Sequence, residues 1–290
     1  MQNVARSKSD STLAVKPFDG ALGAEISGLN LREPVSDAQF AIVLGAFLKH
    51  HVLVFRKQPV NDEQHLAFAA RFGELEGHIN KSTHHKNHAS VQVFSNVKAD
   101  GTTTGANPDL GTLVWHTDKS YITRPSLATV LRSPAIASQG GDTLFANTHA
   151  AYDDLDEVGR QKIDNRMAIH SWQVSREKSG ARPATAEELA AAPPVEHPIA
   201  RTHPVTNRKS IYLGNHAHQI VGIDEQESLR LLAELEAHMT QDKYIYRHQW
   251  QVDDVLMWDN RSTMHCVTPY DPVKEKRAVH RIVVKGDEPF

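Results

Sequence analysis

The chain has 290 residues, a formal net charge of −3, 40% hydrophobic residues and 23% charged ones. That length suits one domain with a substantial core, and the near-neutral balance leaves no basic footprint for nucleic acid. No apolar run approaches the roughly 20 residues of a membrane span, and a single cysteine, Cys266, excludes an internal disulfide and fits a reducing, cytoplasmic setting.

Residues 1–12 are polar, carry two basic side chains and lack an apolar centre, so they read as a flexible start rather than a secretory signal. The remaining residues, 13–290, read as a single domain. Alternating apolar residues and glycine turns over 13–31 predict a hairpin. Ser36-Asp37 opens a helix over 37–50, with Phe40, Val43, Leu44 and Phe47 at helical spacing. An apolar strand follows over 51–55, and Asn61 or Asp62 caps a second helix that runs to Phe72 and ends at Gly73. Strands are expected over 128–133 and 141–146, then one helix over 150–164 with its cap at Thr148. The texture changes over 171–197, where polar and Ala/Pro-rich stretches suggest an excursion around a short helix. This segment and residues 76–111 read as lid loops over the active site. An amphipathic helix over 224–240 and strands over 244–250, 254–258 and 279–284 complete the map. Many strands, glycine-rich turns and a minority of flanking helices indicate a mainly β, double-sheet jelly roll of cupin-like form.

The most informative feature is His116-Thr117-Asp118 read with His265 far downstream. On a strand, residues i and i+2 share a face, so His116 and Asp118 would present a nitrogen and an oxygen side by side. The triplet follows Leu113-Val114-Trp115, a short apolar run that reads as strand. Two imidazoles and one carboxylate with open positions suit Fe(II) and O2 chemistry better than a closed structural zinc. Alone the triplet is weak, because 18 histidines make chance pairings common. Arg277 and Arg281 sharpen it. A 2-oxo acid that chelates iron needs its distal carboxylate anchored, and a guanidinium fork does so at any working pH. A hydroxyl such as Thr143 can donate to the same carboxylate. Four residues apart, the two arginines would share a face of an extended strand, one for the co-substrate and one for an anionic substrate. Solvated arginines on a basic stretch, Lys274-Glu275-Lys276-Arg277, are the competing reading.

Several stretches occur in the order of one family: Leu53-Val54-Phe55-Arg56-Lys57-Gln58, Ala67-Phe68-Ala69-Ala70-Arg71-Phe72-Gly73, Trp115-His116-Thr117-Asp118, Gly140-Gly141-Asp142-Thr143, Trp258-Asp259-Asn260-Arg261 and His265…Arg277…Arg281. Across roughly residues 15–288 the chain resembles the Fe(II)/2-oxoglutarate-dependent dioxygenases of the taurine dioxygenase and 2,4-dichlorophenoxyacetate dioxygenase group. The resemblance implies a double-stranded β-helix and His116, Asp118 and His265 as iron ligands. It implies Thr143 and Arg277 as the grip on 2-oxoglutarate, and Arg281 as the contact to the acidic group of the prime substrate. Arg201-Thr202-His203-Pro204 and Asn215-His216-Ala217-His218 are similar to the aryloxyalkanoate branch, which makes His216 a candidate substrate contact. His203 is a weaker candidate, read more simply as a polar residue in a proline-bounded turn. The taurine-oxidising branch has an asparagine where this chain has Thr112, so taurine is not favoured.

In the polar loop holding His78, His84, His85 and His88, the position to watch is His78, with solvent-facing histidines as the plainer reading. The implied activity is hydroxylation of a small organic anion with release of succinate and CO2, including ether cleavage of an aryloxyalkanoate. Alkylsulfonate or alkyl sulfate oxidation is the alternative. From other classes, a zinc hydrolase and a non-catalytic cupin-like binding protein share the ligand set. A homo-oligomer, dimer or tetramer, with no membrane or nucleic-acid partner is expected.

Overall fold

The computed structural model describes residues 12–290, so the expected flexible start lies, but for Thr12, outside the described residues. Two sheets pack face to face as a jelly roll. The larger has eight strands and places Val255–Asp259 between Val52–Phe55 and Ser126–Ala135, with Ala278–Lys285 beyond. The smaller orders Ile245–His248, Thr143–Asn147 and Thr263–Val267. All pairs in these two sheets are antiparallel except Ala24–Ser27 with Val52–Phe55.

The central strands are apolar on both faces because both are covered. Leu53, Phe55, Val255 and Met257 pack under the helices Asp37–His50 and Asp62–Ala69 with Val43, Phe47 and Phe68. Their neighbours Val52, Val54, Leu256 and Trp258 turn the other way, onto Phe145 of the smaller sheet. The period-2 alternation of a strand thus builds two cores from one continuous hydrophobic run. Beyond the smaller sheet, Ala146 and Met264 pack on Leu231, Leu235 and Met239 of the helix Glu225–Met239. The functional residues lie where the layer between the two sheets opens.

Local signals explain the helix boundaries. Ser36 and Asn61 each form a reciprocal capping box, a device that contributes about 1 kcal/mol. The helix expected over 150–164 is two helices, Thr148–Asp153 and Glu157–Ile163. Asp156 Oδ1 accepts from the Gly159 N–H at 2.7 Å and starts the second one, so a new N-cap breaks what the apolar spacing joined. The 171–197 segment contains the helices Trp172–Ser179 and Ala186–Ala191. No described helix is long and apolar enough to cross a membrane.

Candidate active site

His116 does not lie in a regular strand. Leu110–Leu113 is a 3-10 helix, and His116 joins His265 in an isolated antiparallel bridge. Each backbone N–H of the pair donates to the other's carbonyl at 2.9 Å. This reciprocal pair sets the two rings 4.1 Å apart between centroids. The chain then turns, so Asp118 arrives from a turn and not from the next in-facing position of a strand. The strand expectation for the triplet is therefore corrected, although the three side chains do converge. His116 Nε2 is 3.8 Å from Asp118 Oδ1, and His265 Nε2 is 3.8 Å from Asp118 Oδ2. One donor atom from each residue lies within 4.8 Å of the other two, and all three residues are buried. Close backbone approach makes this possible: a Cβ on Gly214 would stand 2.9 Å from His116 Cα, and Gly214 has φ of +144°.

The donor set fits a ferrous ion. His116 Nδ1 lies 2.8 Å from the Val114 carbonyl and donates to it, which leaves the Nε2 lone pair facing Asp118. Burial, with His116 close by, pushes the pKa of His265 well below the usual imidazole value, so its ring is neutral and able to ligate. Burial alone would raise the pKa of Asp118. Arg281, the two imidazoles and the Thr129 hydroxyl outweigh it and hold the carboxyl ionised. Thr129 Oγ1 donates to Asp118 Oδ2 at 2.6 Å, and Asn260 Nδ2 donates to Thr129 at 3.0 Å. Asn260 Oδ1 accepts from the Asp118 N–H at 3.3 Å and from Trp258 Nε1 at 3.0 Å.

The Trp-Asp-Asn-Arg stretch thus divides its work. Trp258 and Asn260 orient Asp118, whereas Asp259 and Arg261 form a buried pair at 2.7 Å that also holds His203 at 3.1 Å. His203 is thus held in a buried pair and is not among the residues that line the two clefts at the triad.

Two clefts meet at the triad. The first is lined by Thr143, Tyr270 and Arg277, with Leu131, Trp258 and Val279 as apolar walls. Thr143 Oγ1 accepts from Trp250 Nε1 at 3.0 Å, leaving its own proton to donate into the cleft. The Arg277 backbone is fixed by Asn96, whose Oδ1 accepts the Arg277 N–H at 2.8 Å. A Cβ on Gly141, which has φ of +70°, would meet Arg277 Cδ at 3.2 Å, so the double glycine gives the arginine room. Arg277 is 7% exposed and, among the described residues, has no ion-pair partner.

Arg281 lines both clefts. Its Nη1 donates to Asp118 Oδ1 at 2.9 Å, its Nε to Gln92 at 2.9 Å, and its guanidinium lies over Phe94. Arg277, one residue before the strand Ala278–Lys285, and Arg281, within it, both line the first cleft.

The second cleft is lined by His78, Tyr121, Trp172, Arg176 and His216. The Tyr121 ring is tilted against Trp172 at 4.7 Å and against His216 at 4.9 Å between centroids. Burial, then the nearby His116, lowers the pKa of His216 to about 3, so it offers a neutral ring and not a charge. His78 Nδ1 accepts from the Asn80 N–H at 3.0 Å, which assigns the ring proton to Nε2 and directs it at the Tyr121 hydroxyl, 2.9 Å away. The Tyr121 proton is then free to point into the cleft. The other histidines of that loop go elsewhere. His84 reaches the His78 carbonyl, while His85 and His88 face Asp62 and Glu63.

Sequence reasoning missed Trp250, Gln92, Trp172 and Arg176. No motif marks the last two, which come from a helix in the segment of changed texture.

Comparison with known proteins decides the family. Residues 14–283 match the model of the family described as "Taurine catabolism dioxygenase TauD, TfdA family". The chain belongs to the TauD/TfdA family. A (S)-phenoxypropionate/alpha-ketoglutarate-dioxygenase of Sphingobium herbicidovorans is 34% identical over 286 residues, covering 94% of this chain and 95% of that protein. An alpha-ketoglutarate-dependent 2,4-dichlorophenoxyacetate dioxygenase of a Burkholderia species is 35% identical over 270 residues, covering 90% and 91%. An alpha-ketoglutarate-dependent sulfate ester dioxygenase of Pseudomonas putida is 31% identical over 285 residues, covering 96% and 91%. Among solved structures, AAD-2 in complex with Mn(II) and N-oxalylglycine superposes with a TM-score of 0.85 at 35% identity, covering 96% of this chain and 98% of that one.

This TauD/TfdA member is therefore a 2-oxoglutarate-dependent dioxygenase that uses Fe(II), 2-oxoglutarate and O2. Family membership sets aside the zinc hydrolase and the non-catalytic binding protein.

Proposed function

We propose that this dioxygenase hydroxylates an aryloxyalkanoate at the carbon bearing the ether oxygen. The hemiacetal so formed collapses to a phenol and a 2-oxo acid. The observation that carries the reading is the second cleft: the aromatic rings of Tyr121, Trp172 and His216 stand beside a buried arginine, Arg281, next to the His-Asp-His group. A flat ring and one carboxylate match those walls, and two of the relatives named above act on phenoxyalkanoates.

In this reading His116, Asp118 and His265 hold Fe(II), and Thr143 with Arg277 grip the distal carboxylate of 2-oxoglutarate. Bound there, the ferrous ion with its co-substrate supplies the oxidising power, consuming O2 and releasing succinate and CO2 as one oxygen atom enters a substrate C–H bond. The chain's own residues do the selecting. Arg281 donates to the substrate carboxylate while it also steadies Asp118. His216, Tyr121 and Trp172 wall the side of the cleft that takes the ring, and His78 fixes the Tyr121 hydroxyl. Phe145, Trp258 and Leu131 keep the layer beside the triad dry. Residues 76–111 and 171–197 act as lids over the clefts. The reading includes a cytoplasmic homo-oligomer, dimer or tetramer. The buried free thiol of Cys266 supports a reducing compartment.

The test is substrate-dependent succinate release under air, with and without Fe(II), across aryloxyalkanoates, alkylsulfonates and alkyl sulfates. Phenol release matched to succinate supports the reading. Succinate release driven only by a sulfonate or a sulfate ester overturns it.

A further inference from the structure

Arg176 is a charged side chain that the mechanism above does not use. It stands on the helix Trp172–Ser179 and is 7% exposed. Its one hydrogen bond among the described residues runs from Nε to the Arg182 carbonyl at 2.9 Å. Its guanidinium lies 5.1 Å from the centre of the Trp172 ring, and Nη1 is 3.6 Å from Asp109 Oδ1, outside hydrogen-bond length. That oxygen is already engaged, accepting the Gly111 N–H at 3.0 Å as the cap of the Leu110–Leu113 turn.

A buried cation with so loose a partner is costly unless something completes its shell. Arg176, Asp109 and Trp172 all line the second cleft, on a wall built from a different element than the strand carrying Arg281. Asn215, on the same cleft, donates through Nδ2 to Ser175 at 3.2 Å, and its buried Oδ1 has no hydrogen-bond partner. An under-paired donor therefore stands on a space already walled by aromatic rings, and a residue of the same lining keeps a buried oxygen without a hydrogen-bond partner.

We propose that Arg176 is a specificity-determining residue that selects substrates whose aromatic ring carries a hydrogen-bond acceptor, such as a nitro, hydroxyl or carboxylate substituent. This rests on the aryloxyalkanoate reading. Arg281 takes the carboxylate common to all such substrates, and Arg176 reads the ring. An apolar substituent of the same size would leave the guanidinium desolvated without a partner, and sites that bury polar groups reject ligands that leave them unpaired.

The experiment compares nitrophenoxyacetates with their isopropyl isosteres at each ring position. It measures kcat/KM by succinate and phenol release, and binding by anaerobic calorimetry. The wild-type protein should prefer the best nitro isomer by about 10-fold or more, in line with a hydrogen bond to a charged group. R176M should reduce that ratio towards one in both readouts. R176K, which keeps the charge but loses the fork, should give an intermediate ratio and carries the test if R176M does not fold. A wild-type protein indifferent to nitro against isopropyl at every position, or variants that keep the wild-type ratio, would overturn the role of Arg176 and leave the aryloxyalkanoate reading standing. Failure to turn over any phenoxyacetate, with turnover of sulfonates or sulfate esters, would overturn both.

Discussion

Replacing Arg277 with glutamine separates a binding role from a folding role. Arg277 is 7% exposed, has no ion-pair partner among the described residues and lies 5.9 Å from the Tyr270 ring. Burial lowers its pKa from the ordinary value, and nothing nearby repays the lost hydration in full. A hydrogen bond to a charged group contributes about 1.5–3 kcal/mol. Two parallel bonds from the fork to a carboxylate then contribute about 3–6 kcal/mol, and at 1.36 kcal/mol per decade the smaller figure is roughly 100-fold in affinity. Arg277→Gln should therefore weaken 2-oxoglutarate by about 100-fold or more. Fe(II) affinity should stay close to wild type, because Arg277 makes no hydrogen bond or ion pair with His116, Asp118 or His265 among the described residues. Melting temperature should hold or rise, since an unpaired buried charge has been removed. The assays are anaerobic titration of the Fe(II) protein with 2-oxoglutarate and a thermal melt. A melt lowered by many degrees with unchanged 2-oxoglutarate affinity would refute the reasoning and make Arg277 a structural residue.

Asn260→Ala removes the group that holds both Thr129 and the Asp118 N–H. It should lower Fe(II) affinity by about 10- to 100-fold with a modest loss of stability, measured by metal titration. Asp259→Asn strands the Arg261 guanidinium in the core and should cost about 3–5 kcal/mol in denaturant unfolding. Below the ordinary carboxylate range, acid should do the same. Burial favours the protonated form of Asp259, but Arg261 and His203 hold its folded pKa well below the unfolded one, so the pair's stability is present above the unfolded value and is lost as pH falls towards the folded value. Burial raises the thiol pKa of Cys266 to about 12, so iodoacetamide should label it only after unfolding.

Much of the fold was legible because the chain states it twice, in periodicity and in caps. The strand expected over 51–55 is found at Val52–Phe55, four consecutive apolar residues, and Ser36 and Asn61 announce the helices that cover it. Spacing grouped His116 and Asp118, but for a reason the structure replaces: the bridge to His265 and a turn align them, not a strand. That bridge is a non-local pairing, invisible in local sequence. The break at Asp156 was missed because apolar spacing continues across it. Among the four loop histidines, only the register of the segment distinguishes His78, which enters the cleft, from His85 and His88, which face the acidic end of a helix. Trp172 and Arg176 had no local signal, since what sets them apart is the cleft they line.

The most direct test is a crystal structure prepared anaerobically with Fe(II), 2-oxoglutarate and phenoxyacetate. The account requires one metal ion bound by Nε2 of His116, Nε2 of His265 and a carboxylate oxygen of Asp118. The distal carboxylate of 2-oxoglutarate should lie on Arg277 and Thr143, and the phenoxy ring in the second cleft against Tyr121, Trp172 and His216. A metal ion held by other residues, or 2-oxoglutarate lying away from Arg277, would contradict it.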